Sequence, residues 1–205
     1  MFKLIVLFFG LSVTAHAQEA SIADEMEKIE TILKVSELYG KDQGIRRAWF
    51  YLHGKGFASA DIAKSSELKE RQLEIDKANV AALKVIIEKN GWLNSADFTK
   101  QTDTQAWIIV QHADHDPEFQ ETVLRLLRQS VADKKSIPQN FAYLFDRVYH
   151  RKGKKQVYGT QGACKGKGEW LPHPLREPEK IDEFRSSVEL GSMKDYKKRM
   201  NASCR

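Results

Sequence analysis

Apolar residues spaced three and four apart recur along most of this chain, and each run is closed off by a helix-stopping or helix-starting signal. That periodicity puts apolar side chains on one helix face, and it rules out a β-rich fold for the first three-quarters of the sequence. From Ser21 to about His53 the spacing runs through Ile22, Met26, Ile29 and Leu33, until "HGKG" at 53–56 breaks it. Ser59 reads as the N-cap of a second long helix, and Gly91 stands where a left-handed glycine would end it. Thr102-Asp-Thr-Gln105 reads as a capping box for a third helix containing "AWIIV". Asp116-Pro117 reads as N-cap and first-turn proline, so that helix stops near Asp114 and a fourth begins, carrying Phe119, Val123, Leu126, Leu127 and Val131. Ser136-Ile-Pro-Gln139 reads as another capping box, opening a fifth helix with Phe141, Leu144, Phe145 and Val148.

After Gly153 the pattern changes. "KQVYGTQG" alternates and is rich in β-formers, "CKGKGEW" is a glycine-punctuated turn, and "EWLP" reads as a returning strand, so a hairpin is expected at about 155–172. "PHPLREP" is an extended connector, and two short helices follow within about 179–201. The expected fold is mainly α: a bundle of about five main helices, a small β-hairpin and two short C-terminal helices.

The first residues read as an export signal. Lys3 is followed by an apolar run from Leu4 to Val13, too short to span a bilayer, and Ala15-His16-Ala17 fits a small-x-small cleavage site. Residues 1–17 are therefore expected to be a signal peptide, leaving 18–205 as a single helical domain in the periplasm or outside the cell. No later segment is apolar enough for stable membrane insertion. In that compartment the two cysteines, Cys164 and Cys204, suggest a disulfide, with two free thiols as the other reading. The net charge of +5 has its excess late in the chain, in "HRKGKK" and "KKRM". Without interleaved aromatics these runs read as solvated surface, so no nucleic-acid partner is expected.

Polar residues in apolar stripes carry the functional argument. In the second helix one stripe reads Leu68, Gln72, Ile75, Asn79, Ala82, Ile86 and its neighbour Leu73, Asp76, Val80, Leu83, Ile87. Asp76 and Asn79 thus stand on core-facing positions, where an unpaired polar group costs roughly 1–3 kcal/mol. Partners are offered by Asp42, Gln43 and Arg46 in the first helix, Gln111 and His112 at the end of the third, Asp146 and Arg147 in the fifth, and Gln156, Tyr158 and Gln161 in the hairpin. One pocket shared by these breaks is the functional reading; a ligand-free hydrogen-bond network that fixes helix register is the structural one.

In the functional reading His112 is the proton-transfer centre, with Asp76 or Asp146 orienting its ring and a bound water as nucleophile. Asp42, Gln43, Asn79, Gln111, Arg147, Tyr158 and Gln161 would then hold a small polar or anionic ligand. A non-catalytic cell-envelope or interaction protein is the alternative. No metal and no cofactor is expected: His112 and Asp116 are four apart, but the Asp-Pro break separates them, and neither an HExxH nor an EF-hand pattern occurs.

Several of these segments together resemble a known bacterial family. Gly91-Trp92, "AWIIVQHADHDPEFQ", "AYLFDRV" and "QVYGTQ", with "DQ" at 42–43, "DKAN" at 76–79 and the tail "EKIDEFRSSVELGSMKDY", are similar to domain of unknown function 6624 over roughly Asp42 to Tyr196. The family usually has proline after Gly-Trp, where this chain has Leu93. The resemblance implies that the motif segments form one unit, and it supplies no reaction.

Overall fold

A computed structural model describes residues 6–54 and 62–204, with side chains described over 18–51 and 65–204. Lys3 and the Ser59 cap lie outside these. Helix α1 (Val6–Gly54) and α2 (Ile62–Asn90) are long; α3 (Lys100–Gln111), α4 (Pro117–Ala132) and α5 (Pro138–Arg151) are shorter. Strands β1 (Gly162–Gly166) and β2 (Glu169–Pro172) form an antiparallel hairpin pairing Cys164 with Trp170. A 3-10 turn (Pro178–Lys180), α6 (Ile181–Ser186) and α7 (Met193–Ser203) complete the chain. The helical bundle with hairpin and short C-terminal helices is the architecture the periodicity predicts.

Helix α3 is the centre of the bundle, touching α1, α2, α4 and α5. Its Ala106, Ile109 and Val110 are completely or almost completely buried, against Leu83 of α2, Leu127 of α4 and Leu144 of α5 in one continuous core. Burying such aliphatic side chains contributes roughly 1.5–3 kcal/mol each. Gly91 ends α2 with φ +69° and its N–H bonded to the Ile87 carbonyl at 2.8 Å, the left-handed cap that only glycine adopts without strain. Leu93 is fully buried just beyond it. Asp116 caps α4 through the Phe119 N–H at 3.1 Å, with Pro117 in the first turn.

Four local expectations are corrected. The Ile22, Met26, Ile29, Leu33 stripe faces solvent, being 47–64% exposed; the buried face of α1 is Val35, Leu38, Asp42 and Ile45. Periodicity identifies a face but not what covers it. Helix α3 starts three residues early, because Thr99 rather than Thr102 accepts the capping N–H. Ser136 does not cap α5: its hydroxyl bonds Ser130 and the Trp92 indole instead. The hairpin begins at Gly162, since residues 156–161 form an irregular loop held by Asp146 and Gln156.

The disulfide forms, joining Cys164 of β1 to Cys204 at the end of α7. Hydrogen bonds from Trp170 N–H to Asn201 Oδ1 and from Gly168 N–H to the Cys204 carbonyl, both 2.8 Å, fix the same contact. Among the described residues, no helix is long and apolar enough to cross a membrane.

Candidate functional site

Asp42 is the buried polar member of an apolar stripe, following Val35 and Leu38 on the inner face of α1. It must therefore be paired. Its Oδ1 accepts from His112 Nδ1 at 2.7 Å and from Arg46 Nε at 3.1 Å, and its Oδ2 accepts from Gln43 Nε2 at 2.7 Å. A carboxylate only accepts, so Nδ1 carries the ring hydrogen. Nε2 has no protein partner among the described residues. His112 is the C-cap of α3, and its own N–H closes that helix, so the end of the bundle's central helix sets the ring's position.

Arg46 spans two helices. Its Nη2 donates to Asp76 Oδ1 of α2 at 2.7 Å while its Nε holds Asp42. Burial pushes the Asp42 carboxyl up, but the hydrogen bond and charge of His112, with Arg46 and Gln43, outweigh this and hold it below its ordinary value. At Asp76 the balance is reversed: burial dominates over Arg46, and its carboxyl lies above the ordinary value.

These groups border a cleft of about 230 Å³. Arg46, Asp76 and His112 line it together with Lys69, Gln72 and Leu73 of α2. Asp114, His115 and Arg147 line it as well. Arg147 grips Asp114 with both arms of its guanidinium, Nε to Oδ1 at 2.9 Å and Nη2 to Oδ2 at 2.8 Å. Arg151, one turn on, reaches the same Oδ1 at 2.5 Å and the Asp114 carbonyl at 2.7 Å. Desolvation would raise the Asp114 carboxyl, but the hydrogen bond and charge of Arg147 and the charge of Arg151 hold it below its ordinary value.

The sequence-derived candidates divide into two groups. His112, Asp76 and Arg147 line the cleft; Asp42 stands behind His112 with Gln43 bonded to it, and Gln161 accepts from Arg147 Nη1 at 3.4 Å, none of these three lining the cleft itself. Asp146, Asn79, Gln111 and Tyr158 do not line it. Asp146 does not orient His112: it is fully buried, and its oxygens accept the N–H groups of Val157, Tyr158 and Thr160 and the Thr160 hydroxyl at 2.8–3.1 Å. Asn79 donates to the Leu38 carbonyl at 3.0 Å, one turn before Asp42. Gln111, with its amide oriented to satisfy both groups, accepts from the Trp107 indole and the Leu144 N–H. The Tyr158 ring packs edge-on against Phe141 and Phe145.

Three residues were not singled out from sequence. Asp114 serves the two arginines, and the i, i+4 spacing of Arg147 and Arg151 was the sign that one carboxylate would be shared. Gln120 is fully buried, donating to the Val110 carbonyl at 3.0 Å; it stands in the stripe of Val123, Leu124 and Leu127. Asp103 is fully buried and accepts from Trp92 Nε1 and Ser95 Oγ, tying the 91–95 link to α3.

Among the described residues, no three His, Cys, Asp or Glu side chains converge as metal ligands. Asp116 is engaged elsewhere, capping α4 and pairing with Lys84. The site can exchange a proton at His112 Nε2 and stabilise the resulting imidazolium through Asp42, beside the cation of Lys69. No curated protein and no solved structure matches this chain. Residues 38–204 match the family of unknown function DUF6624, covering all the cleft residues, and the chain belongs to that family.

Proposed function

We propose that the protein binds a small polar, anionic ligand in the His112 cleft and hydrolyses it by general acid–base catalysis. The observation that carries this reading is the Asp42–His112 pair, whose outer ring nitrogen is left unpartnered beside a cleft bearing Arg46, Lys69 and Arg147. A buried carboxylate fixing one imidazole nitrogen and leaving the other for chemistry is a general-base arrangement. His112 Nε2 takes a proton from water as the water oxygen attacks the electrophilic centre. The imidazolium, balanced by Asp42, returns that proton to the leaving group. Asp42 replaces Asp76 and Asp146 as the orienting carboxylate.

A second reading is a paired network without chemistry, favoured by Arg46, which bridges Asp42 and Asp76 and satisfies both. One experiment separates the two. Wild type, His112→Ala and His112→Gln are assayed on a panel of chromogenic anionic phosphate and carboxylate esters, with circular dichroism to verify folding. Hydrolysis that falls by about 10²–10⁴-fold in folded variants supports the enzyme. No wild-type turnover across the panel, together with several kcal/mol of lost stability in His112→Ala, supports the network.

We also propose that residues 1–17 direct export. The Cys164–Cys204 bridge supports this, because disulfides persist in oxidising compartments. The mass of the protein recovered from the periplasm or medium tests it: the exported form begins at Gln18, and an unprocessed cytoplasmic product overturns it.

A further inference from the structure

One anion-binding group of the cleft, the Arg147 guanidinium, is already filled by the chain's own carboxylate. Arg147 presents its Nε and Nη2 fork to both oxygens of Asp114 at 2.9 and 2.8 Å, the two-point geometry that also receives a bound carboxylate or phosphate. Arg151 adds a second guanidinium to the same side chain at 2.5 Å. Two positive charges thus meet one negative charge, and the excess borders the cleft that also carries Lys69. Asp114 is an unusual choice for a purely structural partner. It lies in the short link between α3 and α4, outside both helices, and its side chain is half exposed at 49%.

The same contacts make the carboxylate displaceable without unfolding anything. Asp114 Oδ1 also accepts from Gln120 Nε2, at a longer 3.3 Å, and Gln120 keeps its bond to the Val110 carbonyl at 3.0 Å when the carboxylate leaves. Arg151 Nη1 holds the Asp114 backbone carbonyl at 2.7 Å, so the link stays in place when the side chain turns away. The departing carboxylate reaches water at once. An incoming oxyanion takes over both arms of Arg147 in the cleft that His112 also lines.

We propose that Asp114 is an internal competitor for the ligand site: the ligand is an oxyanion presenting two oxygens to Arg147, and it binds by displacing the Asp114 carboxylate. This rests on the His112 cleft being a ligand site. It adds the ligand's chemical class and a built-in limit on its affinity, so that only anions matching the fork outcompete the tethered carboxylate.

The test is calorimetric titration of inorganic phosphate at low ionic strength into the full chain, comparing wild type, Asp114→Asn and Glu118→Gln. Glu118 is an exposed carboxylate on the first turn of α4 and serves as a control for loss of charge alone. Asp114→Asn is expected to bind phosphate at least tenfold more tightly than wild type, Glu118→Gln to change affinity less than twofold, and Asp114→Asn/Arg147→Lys to lose the gain. A readout on the unaltered protein accompanies this: the Arg147 Nε–H resonance shifts as phosphate replaces the carboxylate. Equal phosphate binding by wild type and Asp114→Asn, or an equal gain in Glu118→Gln, overturns the competitor while leaving the ligand site standing. Absence of phosphate binding in every protein, with the Arg147 resonance unmoved, overturns both.

Discussion

Replacing Asp146 with asparagine tests the role assigned to it as the anchor of the 156–161 loop. The carboxylate is fully buried, and every neighbour it meets is a donor: Val157 N–H at 2.8 Å, Tyr158 N–H at 3.1 Å, Thr160 N–H at 2.9 Å and the Thr160 hydroxyl at 3.0 Å. Asparagine keeps the shape and one accepting oxygen. That oxygen retains the Val157 and Tyr158 bonds, which fall from charge-assisted to neutral, a loss of about 1 kcal/mol each. The amide group then faces Thr160. The hydroxyl can turn to accept from it, but the Thr160 N–H is left buried without an acceptor, at about 1–3 kcal/mol. Burial pushes the Asp146 carboxyl above its ordinary value despite these donors, so removing the charge returns part of the cost. The net loss is about 2–4 kcal/mol. Urea unfolding reads it as a lower midpoint at unchanged m-value, and amide exchange accelerates first at 157–160. Stability within about 0.5 kcal/mol of wild type would refute the anchoring role.

Three further outcomes follow from particular contacts. Reducing the Cys164–Cys204 bridge, which closes a separation of 40 residues, is expected to cost about 4 kcal/mol in the chain-entropy model, seen as a lower melting temperature in dithiothreitol. Gly162→Ala places a Cβ 2.3 Å from the Trp170 ring and 2.4 Å from the Leu171 carbonyl; a loss of about 1–3 kcal/mol and altered Trp170 fluorescence are expected, and an unchanged melting curve counts against the close packing. Asp42 titrates below its ordinary value in the folded state. Its contribution is therefore present above the unfolded value, near pH 4, and is lost as pH falls through the folded value; Asp42→Asn should flatten the acid limb of the stability–pH curve, and an identical slope would count against the pairing with His112.

The parts of the site legible in the sequence were those whose signal is a polar residue in an apolar stripe. Asp76 in the series with Val80, Leu83 and Ile87 announced that a partner lay across the helix interface, and Gln120 carries the same sign on α4. Identity of the partner was another matter. Asp76 and Asp146 both fitted as the carboxylate behind His112, and Asp42 held that place instead, 70 residues away in the chain. Asp146 and Arg147 are neighbours in sequence, but successive helix residues point about 100° apart. One faces the cleft and the other faces the loop.

What the sequence by itself determined is local. Helix identity, the Asp116-Pro117 start, the Gly91 stop and the short C-terminal helices follow from signals contained within one or two turns, and a single pair of cysteines leaves only one intramolecular bridge to form. Tertiary structure decided the rest. It selected Val35, Leu38, Asp42 and Ile45 over Ile22, Met26, Ile29 and Leu33 as the covered face of α1, joined Asp42 to His112, and gave Arg147 to Asp114. Backbone periodicity fixes where a side chain points around its own helix axis, while its neighbour depends on how the helices cross, and that is set by the summed burial of the whole core rather than by any local run of residues.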